Sequence, residues 1–289
     1  MQIIFYSILN FTLRFAIIYV SSIKGKIMQK NDLNAVEITD SAKKDGNLVS
    51  EDKLSNRNLF MYAFGTLGRD FLYNLFNGYL LSFCVFTKSL NTAQFSAITI
   101  IIVLARIFDA FNDPIMGGIV ENTRTKWGKY KPWQLIGCLT TGVVILVLFN
   151  VPAQGWAFIG LLAAMYFLFS ITFTMNDISY WGMMPTLTSN AHDRDKLMTV
   201  TQISVSIGGG LAGLIIPTFA MGDNPIGGSS TAAFGIMSVV AVVLIYVYTE
   251  LYYKLYAPHD MLLVYGNKRG IGLKIKMDSR RDKSNVSKL

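Results

Sequence analysis

The chain has 289 residues, of which 52% are hydrophobic and 15% charged, with a mean hydropathy of +0.40 and a formal net charge of +8. A soluble domain ordinarily carries about 25% charged residues, a disordered chain needs low hydrophobicity and high charge, and two cysteines cannot staple a chain of this length. Those classes fall away, as do collagen-like and low-complexity chains, and a polytopic α-helical membrane protein remains.

The first apolar stretch, residues 1–20, contains Arg14 and lacks an Ala-x-Ala-like cleavage site. It reads as a weak signal anchor or as upstream sequence ahead of a true start at Met28. Residues 28–58 are polar with mixed charge, so residues 1–58 are expected to form a cytoplasmic leader. A bilayer span takes about 20 mostly apolar residues. Six runs meet this: 59–86, 92–120, 133–151, 156–181, 198–221 and 231–253. Polar or Pro/Gly punctuation separates them, as at Thr87-Lys88-Ser89 and Gly222-Asp223-Asn224-Pro225. The expected domains are thus the leader, a six-helix bundle over 59–256 and a basic tail over 257–289.

Lys and Arg set the orientation. Arg124, Lys126, Lys129 and Lys131 follow the second run, and Arg194 and Lys196 follow the fourth, whereas the opposite loops hold only Lys88. Both termini are therefore expected in the cytoplasm of a multi-pass plasma-membrane protein. The basic balance is accounted for by this bias, and no nucleic-acid partner is expected. Cys84 and Cys138 fall inside runs as small packing residues. His192 and His259 have no partner at ligand spacing.

The informative residues are charges at bilayer depth, each costing at least about 2.5–3.5 kcal/mol on insertion. Arg69 and Asp70 lie in the first run, Arg106, Asp109 and Asp113 in the second, and Asp177 in the fourth. Two Arg against four Asp leave an excess of two negative charges, which a bound cation or proton would settle. Arg106, Asp109 and Asp113 share one helix face. Pro114 removes a backbone donor beside them, so a kink or a bare carbonyl is expected. Asn112 adds a neutral oxygen, and carboxylates with neutral oxygens suit a hard cation, Na⁺, or a proton. If the helices form nested three-plus-three repeats, the first corresponds to the fourth, and each carries an intramembrane Asp. Trp181 lies one turn after Asp177, a ring-and-acid pair suited to a sugar.

The runs Ala-Arg-Ile-Phe-Asp-Ala-Phe-Asn-Asp-Pro-Ile-Met-Gly-Gly (105–118), Thr-Arg-Thr-Lys-Trp-Gly-Lys-Tyr-Lys-Pro-Trp (123–133) and Phe-Thr-Met-Asn-Asp-Ile-Ser-Tyr-Trp-Gly-Met-Met-Pro-Thr-Leu-Thr (173–188) closely resemble the glycoside–pentoside–hexuronide:cation symporters. These form the melibiose-permease-like branch of the major facilitator superfamily. The resemblance implies an all-α six-helix N-terminal bundle of that fold and sugar:cation symport by alternating access. It implies a cation site at Asp109, Asp113, Asn112 and Thr174, and a sugar site at Asp70, Asp177, Trp181, Arg69 and Gln202. Arg106 would be a charge partner. Gly117, Arg124, Trp127, Gly128, Lys129 and Lys131 match the cytoplasmic loop that resembles the superfamily's conformational latch. Arg69 stands where melibiose permeases carry Lys, and Gln202 where they carry a sugar-contacting Arg, which points to another glycoside, pentoside or uronide.

The family has about twelve helices in two bundles, and six runs occur here. The expectation is a chain inactive alone, with a second six-helix half or a self-dimer as partner, and with a tail read as an out-of-frame or premature ending or, alternatively, as a genuine cytoplasmic tail. No enzyme activity is expected, and no cofactor beyond the coupling cation. An intramembrane aspartyl protease would show Tyr-Asp and Gly-x-Gly-Asp motifs, and neither occurs. A non-transporting membrane sugar sensor or scaffold, or a truncated gene product, is the alternative.

Overall fold

A computed structural model describes residues 54–125, 128–188 and 190–253 of the chain. The expectations for the leader before residue 54, for Trp127 and for the tail lie outside these residues. Helices α1 (Asn56–Asn77) and α2 (Leu80–Thr87) are followed by α3 (Thr92–Asn122), α4 (Lys131–Asn150) and α5 (Gly155–Met183). A 3₁₀ turn (Met184–Thr186) leads to α6 (Ala191–Ile216), a π-helical turn (Pro217–Met221) and α7 (Ser230–Tyr253). Among the described residues there is no β-strand, only an isolated bridge between Thr125 and Gly128.

Among the described residues five helices are long and apolar enough to cross a membrane: Thr92–Asn122, Lys131–Asn150, Gly155–Thr186, Ala191–Met221 and Ser230–Tyr252. The first expected span needs correction. The run 59–86 is not one helix but α1 and α2, broken where Tyr79 leaves helical geometry at φ −118°, ψ 3°. Averaging hydropathy over the run hides this break, because strongly apolar residues (Leu75, Phe76, Leu80, Leu81) flank the short Asn77-Gly78 step. Pro114 lies inside α3, which continues through it as one helix.

Local chemistry sets the ends. Asn91 and Gln94 form a reciprocal capping box that starts α3, with side-chain to backbone bonds of 2.8 and 3.1 Å. Pro132 occupies the first turn of α4, where its missing N–H costs nothing. Gly155, at φ +57°, turns the chain into α5.

The helices pack as a chain of neighbours: α3 on α5, α5 on α4, α4 on α7, α7 on α1, and α1 on α6. Only 17% of the α3 span and 28% of the α6 span are buried, against 61% of α4, so α3 and α6 form the bundle's margins. Small residues permit close approach. A Cβ on Gly68 would lie 2.4 Å from the Leu244 carbonyl oxygen, and one on Gly137 would lie 2.8 Å from the Thr172 oxygen. Aromatic rings fill the interior, with Phe76 stacked on Phe169 at 3.7 Å and Phe83 packed against Phe149, Phe158 and Phe234.

Candidate functional site

The two helices expected to correspond, α1 and α5, meet face to face. The Tyr62 hydroxyl donates to the Tyr180 carbonyl at 2.7 Å, the Tyr180 hydroxyl donates back to the Tyr62 carbonyl at 3.4 Å, and the rings stack at 4.4 Å. Beside this pair sits the Arg69 guanidinium. Its Nη1 donates to Asp177 Oδ1 at 2.6 Å and its Nη2 to Asp70 Oδ1 at 3.2 Å. Tyr180, Trp181 and Phe173 surround it, with ring centroids 4.8, 5.7 and 5.9 Å from Cζ. Trp181 Nε1 donates to Asp177 Oδ1 at 3.2 Å.

Burial divides this group. The Arg69 and Asp70 side chains are 5% and 8% exposed, but that of Asp177 is 40% exposed. A buried guanidinium held by two carboxylates fixes the far wall, and the accessible carboxylate and indole form the surface a ligand can reach. Of the expected sugar-site residues, Arg69, Asp70, Asp177 and Trp181 are therefore brought together. Gln202 is exposed on α6 and makes no hydrogen bond to that group, and its backbone carbonyl accepts from Ser206 Oγ at 3.0 Å. The helix that carries Gln202 touches the site lower down, where Gly208 packs against Leu67 and the Asp70 side chain of α1.

A second group lies between α3 and α5. Thr174 Oγ1 donates to Asp113 Oδ1 at 2.9 Å, and one turn earlier on both helices Ser170 Oγ donates to Asp109 Oδ1. Both contacts join residues 61 apart, so the helices run parallel in fixed register and form a two-rung ladder of carboxylate and hydroxyl oxygens. Ser170 was not foreseen. Thr174 with Asp113 points to it, because stepping four residues back on each helix reaches Ser170 and Asp109. Asn112 is buried, and its amide nitrogen has no hydrogen-bond partner among the described residues. It does not join the ladder, because its side chain is buried while that of its neighbour Asp113 is exposed.

Arg106 is the ladder's charge partner, with Nη1 3.6 Å from Asp109 Oδ2. Of the four intramembrane acids, Asp70 and Asp177 pair with Arg69 and Asp109 pairs with Arg106. Among the described residues Asp113 has no ion-pair partner, and its contact is the neutral Thr174 hydroxyl. No group of three or more His, Cys, Asp or Glu gathers in a metal-binding arrangement among the described residues. Both cysteines are buried, and Cys138 accepts contacts from Asn176 and Gln134, a packing role.

The loop from α3 to α4 carries the residues that the resemblance likens to a latch. Gly128 stands at φ +100°, which only glycine adopts readily. The Thr125 hydroxyl donates to its carbonyl at 2.6 Å. Lys129 Nζ lies 5.1 Å from the Tyr130 ring centroid, and that ring packs on Gly182 at the end of α5. Lys131 opens α4, Arg124 is exposed, and around Gly117 a Cβ would meet nothing within 4 Å.

Fold and site together define a multi-pass helical membrane protein with ionisable groups lodged inside its bundle. Residues 61–259 match the family described as MFS/sugar transport protein, and the chain belongs to that family. It is 32% identical over 170 residues to a lactose permease of Lactobacillus helveticus, covering 54% of this chain and 27% of the permease. It is 30% identical over 216 residues to a lactose permease of Leuconostoc lactis, covering 67% and 34%. It is 29% identical over 167 residues to a raffinose carrier protein of Pediococcus pentosaceus, covering 54% and 26%. These matches agree with the glycoside–pentoside–hexuronide symporter resemblance of the sequence motifs. The matched part is about a quarter to a third of the length of these curated relatives.

Proposed function

We propose that the chain supplies one bundle of a secondary transporter that carries a sugar together with Na⁺ or H⁺. The observation that carries this reading is the adjacency of two different sites on α5. Ser170 and Thr174 of α5 serve the carboxylate ladder, while Asp177 and Trp181 serve the Arg69 group. A cation on Asp109 and Asp113, with the Ser170 and Thr174 hydroxyls as further oxygens, would offset the negative excess and fix the helix that presents Asp177. Sugar hydroxyls would then bond Asp177 while a C–H face lies on Trp181. Asn112 and Gln202 are assigned to these sites by resemblance alone, and the latch residues Gly117, Arg124, Trp127, Gly128, Lys129 and Lys131 likewise.

Alternating access rocks two bundles about such a site. The second bundle, a separate half or a second copy of this chain, would meet the thinly buried margins at α3 and α6. The Lys and Arg bias of the sequence supports a reading in which the loop after α3 and both termini face the cytoplasm of a plasma-membrane protein. No covalent bond is broken. The test is uptake of labelled lactose or raffinose by cells that lack sugar transporters and express the chain with a second six-helix bundle. Na⁺- or H⁺-dependent uptake that disappears in Asp177→Ala is expected. Uptake indifferent to Asp177 would put the sugar elsewhere, and binding without any flux would favour the sensor reading.

A further inference from the structure

We propose that Asn77 tunes how tightly an alkali cation is held at Asp109, by keeping the Arg106 guanidinium partly withdrawn from that carboxylate. This rests on the cation-site reading of Asp109 and Asp113.

Arg106 serves two acceptors on two helices. Its Nη2 donates to Asn77 Oδ1 at 2.7 Å, whereas its Nη1 stands 3.6 Å from Asp109 Oδ2. A guanidinium fully docked on a carboxylate comes to about 2.7–2.9 Å. The short bond therefore goes to the neutral amide and the long contact to the carboxylate, the reverse of what charge alone favours. The Asn77 amide is itself oriented, because its Nδ2 faces the Tyr73 carbonyl at 3.5 Å, which turns Oδ1 toward Arg106. The Arg106 side chain is 52% exposed and so has room to swing.

A guanidinium seated on Asp109 is a resident cation, and an incoming Na⁺ must displace it. Asn77 offers Arg106 an alternative bond and leaves Asp109 open. Asn77 is also the last residue of α1, at the break before α2. A change of backbone there moves Oδ1, releases Arg106 toward Asp109 and weakens the cation. The helix break and the carboxylate ladder are thus coupled through one side chain. Asn77 is a positioning residue in this scheme and touches neither ligand.

The experiment uses the full 289-residue chain in detergent. NaCl replaces choline chloride at constant ionic strength, and the Na⁺ concentration giving half-maximal thermal stabilisation is read. Asn77→Leu removes the alternative acceptor and should raise that concentration about tenfold, the loss of one charge-assisted hydrogen bond to a competitor. Asn77→Asp draws the guanidinium harder and should lower it. Both shifts should vanish in an Arg106→Gln background, which separates an effect through Arg106 from a local field or packing effect. If Asn77→Leu does not fold, the Asn77→Asp shift and its loss in Arg106→Gln carry the test. Unchanged or same-direction shifts, or shifts that persist in Arg106→Gln, overturn the inference and leave the cation site standing. A wild-type chain that Na⁺ does not stabilise overturns this inference together with the Na⁺ form of the cation-site reading, and leaves H⁺ as the coupling ion.

Discussion

The Arg69 guanidinium and the Asp177 carboxylate meet at 2.6 Å across 108 residues of sequence, joining α1 to α5 where the two helices also exchange the Tyr62 and Tyr180 bonds. Removing the two partners has unequal consequences. Arg69→Leu leaves Asp70 buried without its cation, a change that costs about 3–5 kcal/mol for a buried pair. Its thermal midpoint in detergent should fall sharply. Asp177→Ala leaves Arg69 still paired with Asp70, so the protein should insert and melt near the wild type while losing sugar binding. Equal melting losses in the two variants would show that Asp177 is structural.

The ladder predicts a graded series. Asp113→Cys and Asp109→Cys should weaken cation-stimulated sugar binding far more than they lower the melting point, because each removes a charge from a partly open site. Thr174→Ala and Ser170→Ala remove one neutral oxygen each and should have smaller effects in the same direction. Equilibrium sugar binding with NaCl against choline chloride reads the series. Full stimulation in both Asp variants would place the cation elsewhere.

Close helix contact predicts a contrast between glycines. Gly68→Ala must push α1 from α7, since its Cβ would lie 2.4 Å from the Leu244 carbonyl oxygen. Overpacking of this kind costs roughly 1–3 kcal/mol or more. Gly210→Ala meets nothing within 4 Å and removes helix-interior glycine entropy, so it should be neutral or stabilise by up to about 1 kcal/mol. Thermal melts of the two variants check this.

Lys88, beyond the end of α2, points inward. Its Nζ donates to the Ala153 carbonyl at 2.9 Å and lies 4.7 Å from the Phe158 ring centroid. Burial pushes its pKa below the ordinary lysine value. An unfolded lysine titrates at about 10.4. Between the lowered value and that one, the unfolded chain binds more protons than the folded chain, so stability rises with pH across this window. Wild type should therefore gain melting temperature on the alkaline side relative to Lys88→Met. Parallel pH profiles would contradict the assignment.

Much of the bundle is written in apolar run length. The runs at 92–120, 133–151 and 156–181 fall within two or three residues of α3, α4 and α5. Charge at bilayer depth likewise marked Arg69, Asp70, Asp109, Asp113 and Asp177, because few other reasons justify its cost. The break at Tyr79 was hidden because hydropathy averages over backbone geometry, although Asn77-Gly78 is a turn signal in retrospect. The aromatic enclosure of Arg69 was hidden because Phe173 and Tyr180 read as ordinary apolar span residues. Gln202 was placed by resemblance, and on α6 it is exposed with no hydrogen bond to the Arg69 group. Helix register, which pairs residues 61 apart, exists only once α3 and α5 are packed.

The central claim is that one helix, α5, couples a cation at Asp113 to a sugar at Asp177. The most direct measurement is equilibrium lactose binding to membranes containing the full chain, with Na⁺ and with choline, for wild type and Asp113→Cys. The account predicts that Na⁺ tightens lactose binding to the wild type and leaves Asp113→Cys at its choline affinity. Equal Na⁺ stimulation of both proteins would contradict it.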